Sequence, residues 1–233
     1  MKDTDLLSEI ISELSDAPVS DVRLCQHWAI VVSRNCGLAH TFDTKESVRG
    51  AGHLTEKSAL ELCGLSKSWN LKEASIGVAA INSLTEIEGK RGDGKGILFE
   101  NSPGKKVAIV GHFPWVSDIR EIADEVWVFE KNPQTDDLPD TAVEYLLPKA
   151  DVVAITGSAI VNKSIERLLE LSNGFTIIMG PTTPMSPVLF DYGADILAGC
   201  RVVDSERLIR KVSEGASCMG EIKSEIEFII MKR

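Results

Sequence analysis

Short apolar runs in the second half of the chain are followed at once by residues that can bind a ligand. Gly111 and His112 follow the run at 107–110, and Glu130 follows the run at 126–129. The runs at 152–155 and 176–179 are followed by further candidates: Thr156, Gly157, Ser158, Asn162, Pro181, Thr182 and Thr183. If the runs are parallel strands, their carboxyl ends meet at one edge of a sheet, where small molecules bind. The pattern therefore predicts a ligand site at that edge.

His112 and Glu130 are the titratable candidates in this set. An imidazole titrates near neutral pH, so His112 is the candidate catalytic acid or base. Glu130 stands about 20 residues after Gly111, where dinucleotide-binding domains place an acid that accepts hydrogen bonds from ribose hydroxyls. Glu130 could also orient His112. The alternative for Glu130 is a solvated acid at a strand end, and for the Thr and Ser residues it is turn formation and helix capping.

The turn after the first run does not fit a pyrophosphate. A dinucleotide site needs the pattern G-x-G-x-x-G, whose backbone amides approach the phosphates. Here Gly111 is followed by His112, Phe113 and Pro114, and a proline has no amide hydrogen. We therefore expect no NAD or FAD at this turn, and the cofactor stays unknown. S-adenosylmethionine, which has no pyrophosphate, remains an alternative.

The first half of the chain offers a second, more speculative set of contributors. If the N-terminal domain folds over the strand ends, its candidates are Asn35, Gly37, His40 and Asn82, with His53 as a further histidine. Cys25 and His27 are two residues apart, so a strand would place both on one face, as a metal pair requires. Two ligands are too few and no third is identifiable nearby. The sequence therefore predicts no metal ligands, although direct metal binding stays an alternative.

The elements that must position these residues follow a regular rhythm after Lys105. Apolar runs at 107–110, 126–129, 152–155, 176–179 and 195–198 are continuous, as is typical of strands buried on both faces. The stretches between them leave room for helices at 116–123, 141–147, 160–171 and 205–212. Repeated alternation of strand and helix predicts a doubly wound parallel sheet, with a last strand at 226–230.

The first half has a different texture. Apolar residues at helical spacing predict an opening helix at 6–14, and β-type runs follow at 22–24, 28–32 and 38–42. Helices are predicted from a cap at Thr55 to Gly64 and over 71–81, the second largely buried. The glycine-rich stretch at 86–106 predicts a linker or mobile loop. The chain is thus divided into an α+β domain at 1–100 and a Rossmann-like α/β domain at 101–233.

Composition restricts the partners. The chain has 233 residues and a formal net charge of -10, without a basic block, so nucleic acid and anionic membranes are not expected partners. No membrane-spanning stretch or signal peptide is evident, and the five cysteines are scattered without a C-x-x-C pair. We expect a cytoplasmic location. Assembly into a homo-oligomer is left open.

Several stretches together resemble the Putative heavy-metal chelation family, long a domain of unknown function. The match runs nearly the whole length of the chain in order. The motifs that carry it are SWN at 68–70 through AAIN at 79–82, VGHFP at 110–114, DLPDTA at 137–142, ITGS at 155–158 with VN at 161–162, and GPTTPMSP at 180–187 with LFDYG at 189–193.

This resemblance implies an N-terminal domain similar to the enolase N-terminal fold, a Rossmann-like second domain, and a site between them. It also implies action around metal-chelating molecules, in the condensation or hydrolysis of pterin-like or siderophore-like compounds. The leading hypothesis is a protein that binds a small polar ligand between its domains. The alternatives are an enzyme at the same cleft, including an S-adenosylmethionine-dependent transferase, and a direct metal carrier or sensor.

Overall fold

The computed structural model describes residues 5–233. In the first half of the chain, three strands form one small sheet and three helices accompany it. Their bounds are α1 Leu6–Ser12, β1 Asp21–Leu24, β2 Trp28–Val32, β3 Cys36–His40, α2 Ala59–Cys63 and α3 Leu71–Leu84. The strands pair antiparallel in the order β1-β2-β3. Short 3-10 turns lie at Leu54–Glu56 and Gly64–Lys67.

The second half holds a large sheet and its helices. The strands are β4 Lys90–Arg91, β5 Lys106–Val110, β6 Glu125–Glu130, β7 Leu138–Pro139, β8 Val152–Thr156, β9 Phe175–Met179, β10 Ile196–Val202 and β11 Ile226–Lys232. The helices are α4 Gly94–Asn101, α5 Val116–Arg120, α6 Val143–Leu146, α7 Ser158–Val161, α8 Ile165–Leu171, α9 Val188–Asp191, α10 Ser205–Ser213 and α11 Met219–Ile222. Further 3-10 turns lie at Asp140–Ala142, Leu147–Lys149 and Lys223–Glu225.

The topology of the large sheet sets the place of any ligand. Its strand order is β4-β11-β10-β9-β8-β5-β6-β7, parallel from β10 to β7, with β11 antiparallel to β10. The five predicted parallel strands are confirmed. The chain order reverses between β5 and β8, and at such a switch point the connections diverge to opposite faces and leave a crevice.

Helices cover both faces of this sheet. On one face, Leu98 of α4 and Ile119 of α5 pack with Ile109 of β5. On the other face, Ile160 of α7 and Leu168 of α8 belong to the same core as the first half of the chain. A sheet covered on both faces buries whole strands, which explains the continuous apolar runs. The doubly wound α/β fold is confirmed.

Helix α3 joins the two halves. Asn70 caps it by accepting a hydrogen bond from the amide of Lys72 at 3.0 Å. The helix contacts β2 and β3 on one side and α7 on another, so nearly all of its side chains are buried. The predicted burial of this helix is confirmed. Among residues 5–233, none of the helices has the length and apolar character needed to cross a bilayer.

The predicted linker at 86–106 is wrong for most of its length. The structure has strand β4 and the eight-residue helix α4 there, and Leu98 of α4 is fully buried against the sheet. Asp93 caps this helix at the amide of Lys95, 3.0 Å away. Gly94 lies where a side chain would collide with Ala198. The glycine thus reflects a close approach of the helix to the sheet rather than a mobile chain.

Two other predicted helices differ from the structure. The helix expected from Thr55 is capped by Ser58, which accepts a hydrogen bond from the amide of Glu61 at 3.3 Å. The single helix expected at 160–171 is two, α7 and α8, because Lys163 between them has a left-handed backbone with φ of 66°. The amino group of Lys163 donates to the carbonyl oxygens of Ser68 and Val161, which holds this turn.

Candidate functional site

A cavity of about 800 Å³ opens at the switch point between β5 and β8. It has two walls. The sheet wall lies at the ends of the parallel strands and just after them, and it includes Gly111, His112, Glu130, Thr156, Ser158 and Asn162. The N-terminal wall, made by residues beside β2 and β3, consists of Gln26, His27, His40, Thr41, Phe42 and Asp43. Both halves of the chain therefore line one hollow.

The imidazole of His112 is held by a buried carboxylate. Its Nδ1 lies 3.0 Å from Oδ2 of Asp137, whose side chain is 1% exposed, whereas the side chain of His112 is 32% exposed. A carboxylate can only accept here, so Nδ1 carries the hydrogen and Nε2 is the acceptor when the ring is neutral. This is the arrangement that orients a histidine for binding or proton transfer.

Asp137 is itself fixed by a tight turn. Its amide donates to the carbonyl oxygen of Gln134 at 3.1 Å, and its Oδ2 accepts from the amide of Gln134 at 3.0 Å. The next residue begins strand β7, in which Leu138 pairs with Phe129 of β6. The turn and the strand together bring Asp137 beside His112, although 25 residues separate them.

The Glu130 carboxylate accepts hydrogen bonds from backbone amides of the sheet wall. Its Oε2 accepts from the amide of His112 at 3.1 Å, and its Oε1 accepts from the amide of Lys131 at 2.8 Å. Glu130 thus joins the turns after β5 and β6. The carboxylate that contacts the His112 ring is that of Asp137. Glu130 still lines the cavity, where a ligand hydroxyl can reach it.

Two hydroxyls stand together at the end of β8. Thr156 Oγ1 and Ser158 Oγ are 3.0 Å apart, and both residues line the cavity. Each hydroxyl can donate one hydrogen and accept others, so the pair can bind either donors or acceptors of a ligand. Gly111 lies directly beside Thr156 and has a left-handed backbone, with φ of 96°.

We expect Gly111→Ala to destabilise the fold by about 1–2 kcal/mol, because a left-handed backbone is unfavourable for residues with a Cβ. The new methyl would also lie 3.0 Å from Thr156 Cγ2 and press on the hydroxyl pair. Urea unfolding measures the loss. Gly104→Ala is the matched control, since Gly104 has φ of 66° and open space around it. Equal losses in both variants would show that the contact with Thr156 is unimportant.

Two buried polar atoms of the N-terminal wall have no hydrogen-bond partner among the described residues. Among the described residues, neither His40 Nδ1 nor Thr41 Oγ1 has a hydrogen-bond partner, and both atoms are buried. The ring of His40 meets Phe42 edge to face at 5.1 Å between centroids. Buried polar atoms normally have partners, so these two atoms are unusual features of the wall.

Burial is the main reason that the pKa of His40 lies below its ordinary value of 6.5; nearby His27 lowers the pKa further and Glu130 partly offsets this. His40 is therefore neutral near pH 7. Protonation favours the unfolded chain, which takes up the proton at the higher pH. We expect the free energy of unfolding to fall as pH drops below about 6.5.

His40→Asn should flatten this part of the pH profile, because the variant removes the group that titrates differently in the two states. Chemical unfolding at pH 7 and pH 5 measures it. His53→Gln is the control, since the His53 side chain is 71% exposed. If the wild-type protein and His40→Asn lose equal stability between the two pH values, the argument fails.

Other residues predicted for the site lie outside the cavity lining: Gly157, Pro181, Thr182, Thr183, Asn35, Gly37 and Asn82. Some of them support the N-terminal wall. Thr182 Oγ1 accepts from the amide of His40 at 2.9 Å, and Asn82 Nδ2 donates to the carbonyl oxygen of Leu38 at 2.9 Å. Glu130 and Thr156 share the hollow, and Thr182 stands behind it.

Gly157, Gly37 and Asn35 are in packed positions. A side chain at Gly157 would collide with Thr183, and one at Gly37 would collide with the backbone of α3. The amide of Asn35 donates to the carbonyl oxygen of Ser83 at 2.9 Å, at the far end of β3. These residues hold packed elements together and do not line the cavity.

Several cavity residues were not singled out from the sequence. They include Thr41, Phe42 and Asp43 of the N-terminal wall. Asp137, which contacts the lining residue His112 but does not itself line the cavity, is the main functional residue that the sequence reasoning missed. In the sequence, Asp137 stands out only as part of the DLPDTA motif. Its contact with His112 depends on the pairing of β7 with β6, and a two-residue strand leaves no periodic signal. His27 lines the cavity, but within residues 5–233 no group of three or more His, Cys, Asp or Glu side chains is arranged to hold a metal ion.

The doubly wound sheet, with a cavity at its switch point and a smaller α+β layer beside it, defines a Rossmann-like architecture. Residues 96–232 match the model of a family described as Putative heavy-metal chelation (DUF364), and residues 7–85 match a second family model of the same description. The chain belongs to the Putative heavy-metal chelation family. The resemblance noted in the motifs is confirmed.

Relatives of known sequence or structure agree with this assignment. An uncharacterized protein of Methanocaldococcus jannaschii is 27% identical over 190 residues, 75% of this chain and 73% of that protein. A crystal structure of a DUF364 family protein of unknown function from Desulfitobacterium hafniense is 30% identical, covers 98% of both chains and has a TM-score of 0.91. Another, from Pyrococcus horikoshii, is 24% identical, covers 98% of this chain and 100% of that one, and shows the same fold with a TM-score of 0.84.

Proposed function

We propose that the protein binds a small polar molecule with metal-chelating groups in the cavity between the sheet wall and the N-terminal wall. The observation that carries this proposal is that both walls present polar atoms to one hollow. The sheet wall offers His112 and the hydroxyl pair of Thr156 and Ser158, and the N-terminal wall offers the polar side chains of Gln26, His27 and Asp43. A ligand with several oxygen or nitrogen atoms would satisfy both walls at once.

Aromatic side chains favour a planar ligand. Phe42 lines the cavity from the N-terminal wall and Phe113 lines it from the sheet side. Aromatic side chains and polar groups in the lining of one cavity suit a ring that carries hydroxyl, amide or ring-nitrogen groups. Catechols and pterins have this chemistry, and their adjacent heteroatoms also chelate metals. The family description supports that choice.

The proposal is tested by thermal-shift screening with defined probes. The probes are Zn²⁺, Ni²⁺ and Fe³⁺ salts alone, catechol, acetohydroxamate and pterin alone, each chelator with each metal, and S-adenosylmethionine. A ligand at about 100 times its dissociation constant adds about 2.7 kcal/mol to the stability of the folded state. We expect a chelator, alone or with its metal, to raise the melting temperature by several degrees.

A cavity-blocking variant makes the test specific. Ser158→Trp would place an indole among the lining residues, and Ser213→Trp puts the same side chain on an exposed position of α10. The chelator should stabilise the wild-type protein and Ser213→Trp but not Ser158→Trp. If Ser158→Trp does not fold, Ser158→Ala removes only the hydroxyl and should weaken binding.

Other outcomes would overturn the proposal. Stabilisation by a metal salt alone, unchanged in Ser158→Trp, would indicate a direct metal carrier or sensor with a site elsewhere. Stabilisation by S-adenosylmethionine alone would indicate a transferase. No response to any probe would exclude the proposed ligand classes. We also infer that the protein acts in the cytoplasm, which is supported by five cysteines that all remain free thiols.

A further inference from the structure

We propose that His112 is the proton acceptor of this cavity and that Asp137 is its positioning residue, so that the site removes a proton from the ligand it binds. The inference rests on the proposed function, because it assumes a ligand in the cavity. It adds a chemical step: an O–H or N–H bond of the ligand breaks, and an Nε2–H bond forms on His112. The ligand is left as an anion.

The geometry meets the requirements of such a step. Asp137 holds Nδ1 of His112 at 3.0 Å with a carboxylate whose side chain is 1% exposed, so the ring is fixed with Nε2 as its acceptor. When Nε2 takes a proton, the ring becomes a cation, and the adjacent carboxylate balances that charge. The side chain of His112 is 32% exposed and lines the cavity, so a ligand can reach it.

The chain contains an internal contrast. His53 Nδ1 lies 2.9 Å from Glu56 Oε1, a similar contact, but both side chains are 71% exposed. Water competes for such a pair and screens it, so its geometry is weakly held. The His112 pair differs from this surface contact because the carboxylate of Asp137 is buried. The second pair also supplies a matched control.

A ligand with metal-chelating groups would need a base that accepts its protons. Catechols and hydroxamates bind metals as anions, so a proton must leave as the metal is bound. Other charged groups at this cavity are Asp43, Lys131, Asp140 and Glu130, and the Glu130 carboxylate already accepts from the amides of His112 and Lys131. His27 and His40 also line the cavity, but among its three histidines His112 is the one whose ring nitrogen contacts a carboxylate in the described chain.

Long-range ¹H–¹⁵N NMR of the full chain at pH 8 tests the first requirement without any ligand. We expect His112 to carry its hydrogen on Nδ1 in the wild-type protein, with Nε2 unprotonated. Asp137→Asn should shift the ring toward the Nε2–H tautomer, whereas Glu56→Gln should leave it unchanged. A wild-type His112 with its hydrogen on Nε2, or a tautomer that Asp137→Asn does not alter, would overturn the assignment.

Diethyl pyrocarbonate tests whether Nε2 is reactive, since this reagent acylates unprotonated imidazole nitrogens. We expect His112 modification, followed by mass spectrometry, to slow about tenfold in Asp137→Asn, the size of effect typical of losing a partner that orients a histidine. Glu56→Gln should leave the rate unchanged. A purely structural role for Asp137 would leave the His112 rate unchanged in folded Asp137→Asn and would refute the inference.

These two measurements use the unliganded protein. Their failure would therefore leave the proposed ligand site standing, and failure of the thermal-shift screen would leave the His112–Asp137 pair standing. The two proposals can thus be rejected separately.

Discussion

Gly37→Ala should destabilise the protein by about 3 kcal/mol. Strand β3 lies directly on helix α3 at Gly37. A Cβ there would overlap the carbonyl oxygen of Ala79 and the amide nitrogen of Ser83, both backbone atoms of α3. Backbone atoms cannot turn away as a side chain can, so β3 and α3 would have to separate.

Equilibrium urea unfolding measures this loss. Gly96→Ala is the matched control: Gly96 lies in helix α4 with open space around its position, and alanine is the better helix former. We expect that variant to gain up to about 1 kcal/mol. A Gly37→Ala protein as stable as the wild type would mean that β3 and α3 are not in such close contact.

Glu73→Gln is the second large effect, with an expected loss of about 2 kcal/mol at pH 7. The Glu73 side chain is 1% exposed and accepts from Arg49 Nε and Nη2, both at 2.9 Å, and from Ser68 Oγ at 2.6 Å. These hydrogen bonds fasten the loop before α2 to the first turn of α3. The expected loss is moderate because the Arg49 side chain is 80% exposed and water screens the pair.

The loss should depend on pH. Hydrogen bonds from Arg49, the largest cause, and from Ser68 lower the pKa of Glu73 to about 2 against desolvation, which raises it. A carboxylate with a lowered pKa stabilises the fold above its unfolded pKa, and this contribution disappears as pH falls toward the folded value.

The difference in stability between wild type and Glu73→Gln should therefore shrink between about pH 4.5 and pH 2. Exposed Glu46 provides the control variant Glu46→Gln, which should match the wild-type protein at every pH. A pH-independent loss in Glu73→Gln would mean that the charge is not what stabilises this contact.

The strands of the C-terminal half can be predicted from sequence, because a strand that is buried on both faces is a continuous apolar run. Runs such as 152–155 and 176–179 lie in strands β8 and β9. The glycine residues at 86–106 were the reason for the wrong prediction of a linker. The stretch 86–106 looked like a linker, yet Gly94 allows α4 to approach Ala198 and Gly89, with φ of 128°, lies against Ile230. Whether a glycine marks a flexible chain or a close contact depends on a distant partner, which local composition does not show.

The candidate site, like the fold, could be predicted from sequence only in part. The sheet wall follows from strand ends, so His112, Glu130 and Thr156 were predicted as candidates and do line one cavity. The N-terminal wall depends on how two sheets pack, which periodicity does not specify. Asp137 could not be assigned to His112 because a turn and the two-residue strand β7 bring it there.

Hydrogen exchange on the chelator complex tests the central claim most directly, that both walls hold one ligand. The wild-type protein would be measured with and without the chelator that stabilises it most in the thermal-shift screen. We predict slower exchange both at 40–43 in the N-terminal wall and at 111–113 and 156–162 in the sheet wall. Slowing confined to one wall, slowing elsewhere, or the absence of any stabilising chelator would contradict the account.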